Sequence, residues 1–256
     1  MDPPNINLIL PEELLYQVFS MLSPKDLKSA LLVCKWWAEV GESPGLWCWV
    51  HPVVENSNLD KVATEILPSR RLQSIKGLEL RAVSEELFQA LVRHPTVQDL
   101  DIVGADLSCV SLVEVISTLT TAKLCSSFLT QGQASELFSA LKHGLYLKRL
   151  VLWDVDLSSV NPNLFGRSVT QLEEVDLRST ELTPEQGEAI FANLVQEKET
   201  KFKLKRLWVG SNNLSCVDAE LMARGVNRLE VADITGTWMK SHQVVLTGNL
   251  NFLHCG

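Results

Sequence analysis

From residue 75 onward an apolar triplet with the spacing L-x-x-L-x-L keeps returning. Its copies are Ile75/Leu78/Leu80, Val97/Leu100/Ile102, Leu119/Ala122/Leu124, Leu147/Leu150/Leu152, Leu172/Val175/Leu177, Leu204/Leu207/Val209 and Val226/Leu229/Val231. Their first members are 22, 22, 28, 25, 32 and 22 residues apart. The last two positions of each triplet differ by two, the period of a strand buried on one face. A unit of roughly 20–30 residues cannot enclose a core, so each copy must bury its apolar face on the next. A further apolar position recurs ten residues into five copies, at Leu107, Leu129, Leu157, Leu182 and Leu214. Between the strands, residues 84–92, 111–116, 133–141, 184–191 and 217–223 show the apolar spacing of helices buried on one side.

Strand plus helix at this period resembles the leucine-rich repeat in its ribonuclease-inhibitor-like form. The resemblance implies an α/β solenoid with parallel strands on the concave face and helices on the convex face. The ladder asparagine of that family, eight residues after each first leucine, occurs here only as Asn212. Val83, Ala105, Ser127, Val155, Thr180 and Ile234 hold the other places. Residues 48–71 are expected to form an incomplete first unit, with Leu59, Val62, Ile66 and Leu67 on a helix face and no flexible linker before it. Residues 244–256 carry no polar capping repeat, which leaves either a longer native chain or a frayed last unit as the expectation.

The first fifty residues read differently. Leu14, Leu15, Val18, Phe19 and Leu22 recur at helical spacing behind Pro11, Glu12 and Glu13, which suit a first helical turn. Ser23-Pro24 reads as a cap opening a second helix with Leu27, Ala30 and Leu31, and a third segment carries Val33, Trp36, Trp37 and Val40. Three short helices in about 40 residues leave apolar surface to be covered by another domain or another protein.

This stretch resembles the F-box, whose pattern it matches at Leu10, Pro11, Glu13, Val18, Phe19, Leu22, Asp26, Leu27, Val33, Cys34, Lys35, Trp37, Leu46 and Trp47. The expected division is an F-box domain over 8–50 and a repeat solenoid over 51–256 with about seven repeats from residue 75. The resemblance implies a substrate-recognition subunit of an SCF-type ubiquitin ligase, with the Skp adaptor and cullin as partners and an unknown protein as substrate. Leu10, Pro11, Leu14, Val18, Phe19, Leu22, Leu27, Val33 and Trp37 would be the adaptor-binding or supporting set. The bare reading of the residues leaves open a core that merely caps the repeats, and a repeat scaffold without a ligase role.

Composition narrows the remaining classes. With 23 basic and 31 acidic residues the net charge is −8, which repels nucleic acid and anionic lipid. Neither a secretory signal nor an apolar run long enough for a membrane span is legible, so no membrane or nucleic-acid partner is expected. Cys34, Cys48, Cys109, Cys125, Cys216 and Cys255 are scattered without a CxxC pair, which suits the cytosol or nucleus. Asn213-Leu214-Ser215 fits a glycosylation acceptor only by chance on that reading. Gly41-Glu42-Ser43-Pro44-Gly45 fits GxSxG, but a nucleophile elbow needs a strand before the serine, and here a helix precedes it. His51, His94, His143, His242 and His254 are isolated from one another. The expectation is a non-catalytic protein with neither metal nor cofactor.

Residues between the triplet leucines should line the concave sheet. The early units give Glu79, Asp99 and Asp101, the later ones Arg149, Arg178, Arg206 and Arg228 with Trp153 and Trp208. Arginine and tryptophan dominate binding hot spots, so the expected substrate-binding set is Arg149, Val151, Trp153, Arg178, Arg206, Trp208 and Arg228. Its arginines suit an acidic or phosphorylated segment. Glu174, Asp176 and Glu230 stand ready to neutralise them, and a one-residue slip in register would bury either tryptophan.

Overall fold

The computed structural model describes residues 10–48, 51–67, 73–94, 96–143, 146–196 and 203–237. The expectations about residues 244–256, His242, His254 and Cys255 fall outside them.

Three helices open the chain: α1 (Glu12–Ser20), α2 (Pro24–Ala30) and α3 (Lys35–Gly41), followed by a 3-10 turn at Pro44–Leu46. Ser23 caps α2 by accepting the Asp26 amide and donates to the Asp26 carboxylate at 2.6 Å. Cys34 caps α3 through its sulfur, which accepts the Trp37 amide. Inside lie Leu15, Phe19, Leu27, Val40, Leu46 and Trp47, with the Trp37 ring edge-on to Phe19 at 5.4 Å. The Trp47 indole donates to the Gly41 carbonyl at 2.7 Å. Gly41 lets the Leu31 side chain pack directly against α3, since a Cβ there would displace the end of that leucine. The Ser74 hydroxyl donates to the Pro44 carbonyl and ties the helices to the following segment.

Strands β1 (Val53–Val54), β2 (Gly77–Leu80), β3 (Asp99–Val103), β4 (Thr121–Cys125), β5 (Arg149–Val151), β6 (Glu174–Asp176), β7 (Arg206–Trp208) and β8 (Val231–Asp233) form one parallel sheet in chain order. Behind it run α4 (Leu59–Lys61, continued by a π-helical turn Val62–Ile66), α5 (Glu85–Val92), α6 (Leu112–Ile116), α7 (Gln131–Lys142), α8 (Pro162–Val169), α9 (Pro184–Val195) and α10 (Ala219–Val226). This is the expected α/β solenoid. Val54, Val62 and Leu67 of the incomplete first unit are buried; the side chain of Ile66 lies outside the described set.

The middle triplet residues stack in one column, Leu78, Leu100, Ala122, Leu150, Val175, Leu207 and then Ala232. The last member corrects the reading of the final unit. Its triplet is Leu229/Ala232/Ile234, three residues later than Val226/Leu229/Val231, because Leu207 pairs with Ala232 and Ile234 is buried. Val226 belongs to the end of α10 instead. The corrected ladder position is Thr237, whose hydroxyl donates to the carbonyl three residues back, Ile234, as Thr180 does to Leu177. Asn212 fills the same position most completely. It accepts the Thr180 and Leu182 amides and donates to the Leu177 and Val209 carbonyls.

One residue before each of these positions the chain turns left-handed, at Gly104, Ser126, Asp154, Ser179, Ser211 and Gly236, with φ between 49° and 65°. The amides of the first five donate to carbonyls of the next unit, which prolongs the ladder past the strands. From residue 97 onward units of two kinds alternate. Those starting at 119 and 172 carry 12-residue helices, α7 and α9, each opened by a capping box, Thr130 with Gln133 and Thr183 with Gln186. The units before them have shorter helices, α6 and α8, of 5 and 8 residues. The Gln133 amide donates back to the Leu107 and Val110 carbonyls, and that of Gln186 to Leu157 and Val160. The long steps of 28 and 32 residues are therefore the long-helix units.

Candidate functional site

Two surfaces leave side chains uncovered in a way that folding alone does not explain. The first lies on the amino-terminal helices. Helix α1 has two apolar stripes: Leu15, Phe19 and Leu22 face the core, while Leu14, Val18 and Met21, at the same spacing, face solvent. Met21 is 77% exposed, and at the α2–α3 junction Leu32 is 87% and Val33 62% exposed. Leu31 of that junction turns inward, so three consecutive apolar residues cannot all find the core.

Of the expected adaptor set, Pro11, Leu14, Val18 and Val33 are exposed, Leu10, Leu22 and Trp37 are half-buried, and Phe19 and Leu27 are fully internal. The last two support the surface rather than form it, because they are buried in the core beneath it, which is continuous with that of the repeats. Met21 and Leu32 were absent from the expected set. The second stripe of α1 and the Leu31-Leu32-Val33 run were the signals for them.

The second surface is the concave sheet. Trp153 is 50% exposed, Val151 and Trp208 are half-buried, and Arg149, Arg178 and Arg206 are solvent-facing. Arg228 is not on the strand. With β8 beginning at Val231, it sits in the preceding loop, where its guanidinium donates to the Leu194 carbonyl at 2.7 Å.

The strand arginines are each held by a carboxylate. Glu174 lies between Arg149 at 3.4 Å and Arg206 at 2.7 Å, its neighbours on either side in register. Asp176 grips Arg178 through Nε at 2.9 Å and Nη2 at 2.6 Å, and this hydrogen bonding raises the arginine pKa above its ordinary value. Such pairs on a half-exposed sheet fix side-chain direction more than they add stability. Lys123 meets Asp101 at 3.2 Å, and Arg81 is shared by Glu79 at 2.8 Å and Glu55 at 3.5 Å. The arginines that sequence reading assigned to an anionic ligand are thus engaged by carboxylates, Arg149 and Arg206 sharing the one Glu174.

Cys125, beside Trp153, has its thiol pKa raised by burial first and by the Asp101 charge next, which opposes a nucleophilic thiolate. Ser43 of the GxSxG match stands between α3 and the 3-10 turn, with no strand leading into it. Among the described residues no group of three or more histidines, cysteines or acids is placed to hold a metal, and no helix is long and apolar enough to cross a membrane.

Residues 8–51 match the F-box-like family model. Among solved structures that match, the leucine-rich repeat domain of APL1B aligns at 17% identity and a TM-score of 0.39, over 90% of this chain and 64% of that one. The chain therefore spans less than two thirds of that domain. No curated protein matches.

Proposed function

We propose that a chain built from an F-box-like unit at residues 8–51 and a leucine-rich-repeat solenoid is the substrate-recognition subunit of an SCF-type ubiquitin ligase. The Skp adaptor would dock on the amino-terminal helices and bring the cullin, while the repeats hold the target. The observation that carries this reading is the outward stripe Leu14/Val18/Met21 with Leu32 and Val33, exposed within the segment that matches the F-box-like family. Covering a fully exposed side chain of this size is worth about 1.5–3 kcal/mol, which Leu32 and Met21 approach and the half-covered Leu14 and Val18 supply in part, against the cost of association. No catalytic group enters this reading. The described cysteines are all free thiols, in keeping with the cytosol or nucleus as the place of work.

The test is co-expression with Skp adaptor and cullin followed by size exclusion. The wild type should co-elute with both. Val33→Asp and Met21→Asp should lose the complex while melting within about 1 kcal/mol of wild type, since both sites are exposed. A wild-type chain that elutes alone defeats the proposal. Adaptor binding without ubiquitin transfer to any captured protein would reduce it to a scaffold.

A further inference from the structure

We infer that the concave face over β2–β5 docks a protein segment carrying one basic and one large apolar side chain, the apolar one on Trp153 and the basic one between Glu79, Asp99 and Asp101. This rests on the reading of the concave sheet as the target-binding surface, and it reverses the sign of ligand that the arginine count suggests.

The apolar half comes from the carboxyl ends of three adjacent strands. Val103 pairs with Cys125, and Trp153, two residues past the Val151 partner of Lys123, continues that register just beyond β5, which leaves an uncharged strip across the sheet. Val103 and Trp153 are solvent-exposed there, the indole with half of its surface open. Buried indoles are among the strongest anchors in protein interfaces, and an exposed one beside small apolar neighbours provides the flat floor such a contact requires.

Charge complementarity decides what accompanies the apolar group. A pocket of about 400 Å³ opens beside the strip, walled by His51, Glu79, Asp99, Asp101, Lys123 and Arg149. Of its two cations, Lys123 is paired with Asp101 and Arg149 shares Glu174 with Arg206, against three carboxylates in the wall. Its acids are in excess: Asp99 forms no ion pair among the described residues, and Glu79 shares Arg81 with Glu55. Asp101 has its Oδ1 enclosed and accepting no hydrogen bond among the described residues. A donor-rich cation can meet the partly exposed carboxylates of Asp99 and Glu79, whereas a carboxylate or phosphate would be repelled by them.

Strand spacing fixes the separation of the two groups. At about 4.8 Å per strand and 3.3 Å per residue, Trp153 lies roughly 12–16 Å from the acids at Asp101 and Asp99, the reach of four to five extended residues.

The experiment passes a degenerate library of 12-residue peptides over the immobilised full-length chain and sequences the retained pool. Enrichment of Lys or Arg about four residues from a large apolar residue is expected. Asp99→Asn with Glu79→Gln should abolish the basic preference and spare the apolar one, and Trp153→Ala should do the converse. Enrichment of acidic residues, absence of any selection, or a pool unchanged by Trp153→Ala overturns the inference. Adaptor co-elution measured on the same preparations separates the two readings. Lost peptide selection with adaptor retained defeats only this inference, and selection without adaptor binding defeats only the ligase proposal.

Discussion

Replacing Gln186 by Met tests how the repeats are stitched together. Gln186 is fully buried; its carbonyl oxygen accepts the Thr183 amide at 2.9 Å, and its amide donates to Leu157 at 2.7 Å and Val160 at 2.8 Å in the preceding unit. Methionine keeps the length and nearly the volume, so no cavity confuses the result. The bond to the Leu157 carbonyl costs only about 1 kcal/mol to lose, because that carbonyl still accepts the Val160 amide, whereas the Val160 carbonyl and Thr183 amide are left facing an apolar side chain at about 1–3 kcal/mol apiece. Allowing about 1 kcal/mol for the better burial of the thioether, the net loss should be about 2–6 kcal/mol. At about 2–4 °C per kcal/mol, that lowers the melting temperature by roughly 4–24 °C. Gln133 makes the same three contacts in a half-buried setting that water can reach, so Gln133→Met should cost about half as much. Thermal melts and urea titrations of both variants provide the measurement. A Gln186→Met protein melting within 2 °C of wild type, or below a Gln133→Met protein in loss, would refute the idea that this side chain bridges units.

Other consequences are as direct. Phe19→Ala, which removes a buried ring edge-on to Trp37, should cost about 3–5 kcal/mol by chemical denaturation, unlike the exposed adaptor-face substitutions. Asn212→Ala deletes a buried side chain bonded to two amides and at least two carbonyls and should cost about 3 kcal/mol or more; a loss under 1 kcal/mol would contradict the ladder. Gly104→Ala places a Cβ with nothing within 4 Å of it at a φ of +65°, so its cost of about 1–2 kcal/mol should be purely torsional. Gly at Ser211, the equivalent left-handed position, should instead stabilise by a few tenths to about 1 kcal/mol, read in the same urea titrations.

The sequence by itself determined the repeat, its solenoid stacking and the helical character of the first fifty residues, because burial periodicity is a local property. Wherever Leu78, Leu100 or Leu150 falls in space, its two-residue alternation already commits it to the inner face. Phe19 and Leu27 were legible as part of the helical unit, but which apolar residues turn inward there depended on how three helices cross. That crossing left Met21 and Leu32 outside and closed Phe19 within. Long-range register was decided only by the tertiary structure. Val226/Leu229/Val231 and Leu229/Ala232/Ile234 are both plausible triplets locally. The choice between them came from pairing Ala232 with Leu207, a contact that no short window contains. That three-residue difference removed Arg228 from the concave face. Partner choice among charges is equally non-local: Arg149, Glu174 and Arg206 are 25 and 32 residues apart along the chain and adjacent only because parallel strands stack in register. A list of arginines therefore suggested an anion site. The same residues in their places are held by carboxylates, Arg149 and Arg206 on the one Glu174 and Arg178 on Asp176, because Coulomb attraction falls with distance and distance is what folding sets.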